Sequence, residues 1–163
     1  MPAKKPVNIG LIGAGRIGSF HGESVQRRLV DATLVAIADP APGAAAKLAA
    51  TLDVDTSYTD VAEMLAHPGL DAVIIATPAR FHTNVAVQAA QAGKHVFCEK
   101  PMALTLEDAD RALAAAKAAG VSLQVGFNRR WDQAFAEARA AIDAGRVGTP
   151  QLLRSVIRDP GPF

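Results

Sequence analysis

The 163-residue chain is poor in the features that stabilise or localise many proteins. It has one cysteine, Cys98, which excludes an intramolecular disulfide and suits a reducing compartment. Its four histidines, at positions 21, 67, 82 and 95, stand at metal-ligand spacing neither to one another nor to a cysteine or carboxylate. No local metal site is expected. Charge of one sign is also missing, since 17 basic residues face 16 acidic ones for a net charge of +1. Arg27-Arg28 and Arg129-Arg130 are isolated pairs without interleaved aromatics, so no nucleic-acid partner is indicated. The basic start, Met1-Pro2-Ala3-Lys4-Lys5-Pro6, leads into an apolar run too short and too rich in glycine for a signal or a membrane span. The expectation is a cytoplasmic protein with no membrane partner. No internal repeat or low-complexity segment stands out beyond an alanine bias.

Half of the residues are apolar, enough for a real core in about one domain. Short apolar runs alternate with alanine-rich helical stretches. The pattern predicts strands over residues 7–12, 33–38, 72–76, 95–98 and 122–126. It predicts helices over residues 16–29, 44–52, 61–66, 83–91, 106–119 and 133–144. The runs near Ala72 and Ser122 are apolar throughout, as in parallel strands covered on both faces. Asp60 and Thr105 stand where helix caps are wanted. Gly93, Gly120 and Gly145 stand where a left-handed residue ends a helix. The expected fold class is α/β, a doubly wound parallel sheet.

The first run breaks into Gly13-Ala14-Gly15-Arg16-Ile17-Gly18 and then enters a helix. In such a turn the first glycine makes the tight bend and the second admits a phosphate close to the backbone. The third lets helix and strand approach. The helix N-terminus adds unpaired N–H groups and the positive end of its dipole. Asp39 closes the second run, roughly 20 or more residues on, as a strand–helix–strand unit requires. A carboxylate there accepts hydrogen bonds from the adenosine ribose hydroxyls and repels a 2′-phosphate. The expected cofactor is therefore NAD, with NADP disfavoured. The alternative is that Asp39 merely caps the next helix.

Two further turns follow strands. Ala76-Thr77-Pro78-Ala79-Arg80-Phe81-His82 carries Thr77, Pro78 and His82 to the edge where open α/β sheets bind ligands. His82 reads equally as a helix-start residue bonded to backbone. His21, soon after the glycine loop, reads as a surface or packing residue. Gly93-Lys94-His95-Val96-Phe97-Cys98-Glu99-Lys100-Pro101 delivers Glu99 and Lys100 to the same edge. A lysine beside a nicotinamide and a carbinol can polarise or deprotonate the hydroxyl. Glu99 could orient that ammonium, although a close carboxylate would tighten its hold on the proton. On residue chemistry alone the pair also reads as a solvated loop. Cys98, within a strand, reads as a packing thiol. Arg129, Arg130 and Trp131 read as structural residues around the Asp132 cap.

The glycine loop, Asp39, Ala76-Thr77-Pro78 with His82, the run from Ala92-Gly93-Lys94-His95-Val96 into Glu99-Lys100-Pro101, and Gly126-Phe127-Asn128-Arg129-Arg130 together resemble the glucose–fructose oxidoreductase/inositol 2-dehydrogenase (Gfo/Idh/MocA) family. The resemblance implies NAD-dependent hydride transfer to or from a secondary alcohol of a cyclitol, sugar or sugar derivative, a small-molecule partner. It implies a catalytic role for Lys100. It also implies cofactor contacts from Gly13, Gly15, Arg16, Ile17, Gly18, Asp39, Thr77, Pro78, His82, Glu99 and Lys100. Family members have a second domain that forms the substrate pocket and oligomer interface and supplies an Asp and a His on a helix. On that basis residues 1–128 form the dinucleotide-binding Rossmann domain and residues 129–150 a connecting helix segment. Residues 151–163 form the truncated start of the substrate domain, represented only by its first strand. Such a chain is expected to bind NAD but to turn over poorly or not at all. The apolar residues of that strand, Leu152, Leu153, Val156 and Ile157, point to self-association into a homo-oligomer. A stand-alone NAD(P)-binding sensor or regulatory module is the competing reading.

Overall fold

A computed structural model describes residues 5–156. Contacts divide the chain into two compact units, Met1–Gly126 and Phe127–Phe163. The first unit runs β1 (Val7–Ile12), α1 (Arg16–Arg28), β2 (Ala32–Ala38), α2 (Ala44–Thr51), β3 (Ser57–Tyr58), α3 (Val61–Leu65) and β4 (Ala72–Ile75). It continues through α4 (His82–Gln91), β5 (His95–Cys98), α5 (Leu106–Ala119) and β6 (Leu123–Val125). The six strands are parallel and lie in the order β3-β2-β1-β4-β5-β6. That is the doubly wound order, and it reverses direction beside β1.

The strand sequences explain the two-layer cover. Successive side chains of a strand point to opposite faces. Leu11, Leu34, Ile37 and Ile74 pack with Val25 of α1 and Leu48 of α2 on one face. Ile12, Val73, Ile75 and Cys98 pack with Met64, Val85, Ala86 and Ala112 from α3, α4 and α5 on the other. Both alternate sets are apolar, so neither face can be left to water. Each large aliphatic side chain buried this way contributes about 1.5–3 kcal/mol. α4 meets α5 through alanines, among them Ala86, Ala89 and Ala112, whose small side chains permit close approach.

Local signals account for the boundaries. Asp60 Oδ1 accepts the Glu63 N–H at 3.0 Å, and Thr105 Oγ1 accepts the Asp108 N–H at 3.1 Å. Glu107 and Asp108 then place negative charge in the first turn of α5. β3 is absent from the sequence-based prediction. Two residues carry no periodicity, and Ser57–Tyr58 become a strand only by pairing with Ile37 and Ala38 of β2.

In the second unit, α6 (Gln133–Asp143) starts at Asp132, whose Oδ1 accepts the N–H groups of Ala134 and Phe135. The strand expected over residues 151–158 is corrected in its described part. Residues 151–156 are irregular, because a strand needs a neighbour's backbone to pair with and they find none among the described residues. Ile157 and Arg158 lie outside the described residues. Among those residues no helix is long and apolar enough to cross a membrane.

Candidate functional site

Parallel register sets distant residues in one row. Ile12 pairs with Ala38 on one side and Ile75 on the other, and Ile75 pairs with Cys98. The next residues, Gly13, Asp39, Ala76 and Glu99, therefore leave the sheet side by side at its carboxyl edge. Backbone bonds carry the row one step past the strands. Gly13 N–H donates to Ala38 O at 2.8 Å, Ala76 N–H to Ile12 O at 2.8 Å, and Glu99 N–H to Ile75 O at 2.9 Å.

The glycine loop has two positions closed to side chains and one open. Gly13 has φ +103°, and a Cβ there would lie 2.7 Å from the Ala76 carbonyl oxygen. A Cβ on Gly18, in the first turn of α1, would collide with the Gly13 carbonyl oxygen. Gly15 precedes α1, and a Cβ on it would meet nothing within 4 Å. The protein's own packing does not demand that glycine. What it leaves clear is the space before the unpaired N–H groups of α1.

Asp39 braces this loop. Its Oδ2 accepts the Ala14 N–H at 2.7 Å and its Oδ1 the Ala41 N–H at 2.8 Å. Gly43 stands at the N-cap of α2, so Asp39 does not cap that helix. A carboxylate offers about four acceptor positions. Two backbone bonds leave room for hydroxyl donors.

A groove of about 590 Å³ runs between the loop and the β4 turn. Gly13, Gly15, Arg16, Ile17 and Asp39 form one side, and Thr77, Pro78, Arg80 and Phe81 the other. The volume falls within the range of small-molecule pockets. Arg80 holds its guanidinium 4.5 Å from the Phe81 ring centroid. Thr77 Oγ1 is buried without a hydrogen-bond partner among the described residues. An unpaired buried hydroxyl is costly.

His82 is not part of the groove lining. It is 2% exposed, with Nδ1 2.7 Å from the Pro101 carbonyl oxygen and Nε2 2.7 Å from that of Thr77. It thus ties the β4 turn to the β5 turn through backbone.

Glu99 and Lys100 follow β5 at the same edge. Glu99 Oε1 accepts from His21 Nε2 at 2.8 Å, and Oε2 accepts the Lys100 backbone N–H at 3.1 Å. Lys100 is exposed and belongs to no ion pair among the described residues. Cys98 is fully buried, and burial pushes its thiol up to about 12, with the Glu99 carboxylate adding in the same direction. Such a thiol is inert packing, not a nucleophile.

Other motif residues serve the scaffold. Lys94 Nζ donates to the Leu70 carbonyl at 2.9 Å, and His95 Nδ1 accepts the Ser122 N–H at 3.0 Å. In the second unit, Arg129 stacks on Phe135 with its Cζ 5.0 Å from the ring centroid. Among the described residues no group of three or more His, Cys, Asp and Glu side chains is placed to hold a metal ion. His21, read from the sequence as a surface or packing residue, packs between Phe20 and Phe97 and also reaches Glu99. No local signal marks that contact, because its partner lies 78 positions away in the chain.

Comparison with known proteins decides the family. The Gfo/Idh/MocA oxidoreductase family, NAD-binding Rossmann fold, matches residues 7–127. The chain belongs to this family. Among Gfo/Idh/MocA relatives, myo-inositol 2-dehydrogenase of Thermotoga maritima is 40% identical over 156 residues, covering 96% of this chain and 46% of the relative. The scyllo-inositol 2-dehydrogenase (NAD(+)) of Bacillus subtilis is 40% identical over 155 residues, covering 95% and 45%. Among solved structures, scyllo-inositol dehydrogenase from Lactobacillus casei with bound NAD(H) and scyllo-inositol superposes with a TM-score of 0.83. It is 33% identical, over 88% of this chain and 43% of that one. The chain thus spans under half the length of these relatives. The doubly wound Gfo/Idh/MocA fold expected from the sequence is the one observed.

Proposed function

We propose that this chain is the cofactor-binding part of an NAD-dependent oxidoreductase. The whole enzyme would act on a secondary alcohol of a cyclitol, sugar or sugar derivative, as its inositol 2-dehydrogenase relatives are named for doing. One observation carries the reading. The glycine loop, Asp39 and Thr77 line one groove, and Glu99-Lys100 leaves the same sheet edge.

The residues fit the cofactor. Gly15 leaves space for a diphosphate against the N-terminus of α1. Asp39 keeps acceptor positions for ribose hydroxyls, and Thr77 offers its unpaired hydroxyl. Asp39 would face a 2′-phosphate with like charge, so NADP is disfavoured. NAD, when bound, supplies the hydride acceptor. Lys100 Nζ holds or takes the proton of the substrate hydroxyl. His82 keeps the Thr77 and Pro101 turns in fixed relation. In this reading residues 1–128 act as the cofactor domain and residues 129–150 as a connector. The buried, unpaired Cys98 suits a reducing cytoplasm.

A chimera tests the activity. Residues 7–127 replace the matching segment of the Thermotoga maritima relative, and cofactor reduction is followed with myo-inositol. Reduction of NAD is expected. Lys100→Met in the chimera should lower kcat by roughly a hundredfold or more while NAD affinity holds. A chimera that binds NAD, keeps the relative's fold and reduces none would reject the dehydrogenase reading.

A further inference from the structure

We propose that His21 is a positioning residue that keeps Glu99 away from the ammonium of Lys100. The inference rests on Lys100 being the group that exchanges a proton with the substrate hydroxyl. Adjacency in the chain creates a conflict. An ammonium beside a carboxylate holds its proton more tightly. A lysine that must release and recover a proton is poorly served by such a partner.

In the structure each oxygen of Glu99 already holds one partner, which fixes where the carboxylate points without filling all of its acceptor positions. Oε1 takes the hydrogen bond from His21 Nε2, and Oε2 takes the Lys100 backbone N–H. The side chains of His21 and Glu99 are 19% and 20% exposed, so water competes weakly for either. The imidazole is held edge-on by two rings, Phe97 at 5.5 Å and Phe20 at 6.0 Å between centroids. Gly126, beyond β6, leaves room beside the carboxylate. A Cβ there would lie 3.3 Å from Glu99 Oε1. Cys98, next to Glu99 in the chain, has a raised thiol that brings no charge at neutral pH. His21 pairs with Glu99 through Nε2 at 2.8 Å. His21 rides on α1, the helix whose N-terminus faces the groove, and reaches across 78 positions of chain. One helix therefore serves both ends of the site.

Competitive acylation tests this on the whole chain. A limiting amount of acetic anhydride is added near neutral pH, and peptide mass spectrometry gives the Lys100-to-Lys47 labelling ratio. Lys47 is exposed on α2 and serves as the internal reference. His21→Phe frees Glu99 to pair with the ammonium, and the ratio should fall roughly twofold to fivefold, the range a partly exposed ion pair commands. His21→Gln keeps an N–H donor and should hold the wild-type ratio. Adding Glu99→Gln to His21→Phe should restore it. Should His21→Phe fail to fold, Glu99→Gln alone carries the test. It should raise the ratio by less than twofold, because a carboxylate held by His21 acts on the ammonium only through space and not as its ion-pair partner. An unchanged ratio in folded His21→Phe, or a rise of twofold or more in Glu99→Gln alone, overturns the inference. Calorimetry with NAD on the same samples separates the two readings. No NAD binding with the expected ratios removes the cofactor function and keeps His21's role. NAD binding with flat ratios removes His21's role alone.

Discussion

The two ends of the candidate site are built differently. The nucleotide end is made by backbone. Gly13 turns it, Gly18 lets α1 approach it, and Asp39 braces Ala14 and Ala41 through their N–H groups. The lysine end is made by side chains from distant positions. His21 of α1 holds Glu99 after β5, and the ring of His82 of α4 sits between the carbonyls of Thr77 and Pro101. The first end is therefore a matter of excluded volume and loop shape. The second is a matter of partner choice among polar groups. Damage to the first should cost structure and affinity together, and damage to the second should leave the fold standing.

Gly18→Ala is the hardest blow to the nucleotide end. Its Cβ collides with the Gly13 carbonyl, and the chain should lose about 1–3 kcal/mol in a denaturant titration. Lys100→Met is its counterpart at the lysine end. That exposed side chain should change stability by about 0.5 kcal/mol or less. Equal losses from the two would dissolve the distinction.

Asp39→Ala removes an acceptor from two backbone N–H groups and, in the proposed function, from the ribose. Calorimetry should show NAD binding roughly tenfold to a hundredfold weaker. The preference for NAD over NADP should shrink with it. Weaker binding with an intact preference would leave Asp39 only its bracing role.

Cys98 sharpens the contrast from beneath the lysine end. The unfolded chain gives up the thiol proton near pH 9.0, and the folded chain only near 12. The folded state thus binds more protons between those values, so stability should fall as pH rises from about 9 to about 12. Below that window this group has no effect. Cys98→Ala should flatten the alkaline slope in a stability-against-pH series. An equally steep slope in the variant would assign it to other groups.

Thr77→Val is the mildest change. It removes a buried hydroxyl that has no partner, so the free chain should be unchanged or gain up to about 1 kcal/mol. NAD affinity should drop a few-fold. A loss of stability without ligand would mean that the hydroxyl is already satisfied.

The same division decides what could be read from sequence. The glycine loop and Asp39 are legible because steric rules act between near neighbours and the unit repeats at known spacing. The strands are legible where both faces must be covered, as in the runs at Leu11–Ile12 and Val73–Ile75. β3 escaped because two residues carry no pattern. Residues 151–156 look like a strand yet pair with nothing described, since an apolar run states a preference and a partner strand must answer it. The His21–Glu99 contact escaped because it spans 78 positions, and no local rule says which histidine a carboxylate will find. His82 was placed in the right turn, but its two carbonyl partners come from tertiary packing.

The most direct measurement is a calorimetric titration of the whole chain with NAD and, separately, with NADP. Saturable binding of NAD at one site per chain, with NADP markedly weaker, is the expected result. No NAD binding at millimolar concentration, or equal affinity for the two cofactors, would contradict a groove shaped by the glycine loop, Asp39 and Thr77 to hold NAD.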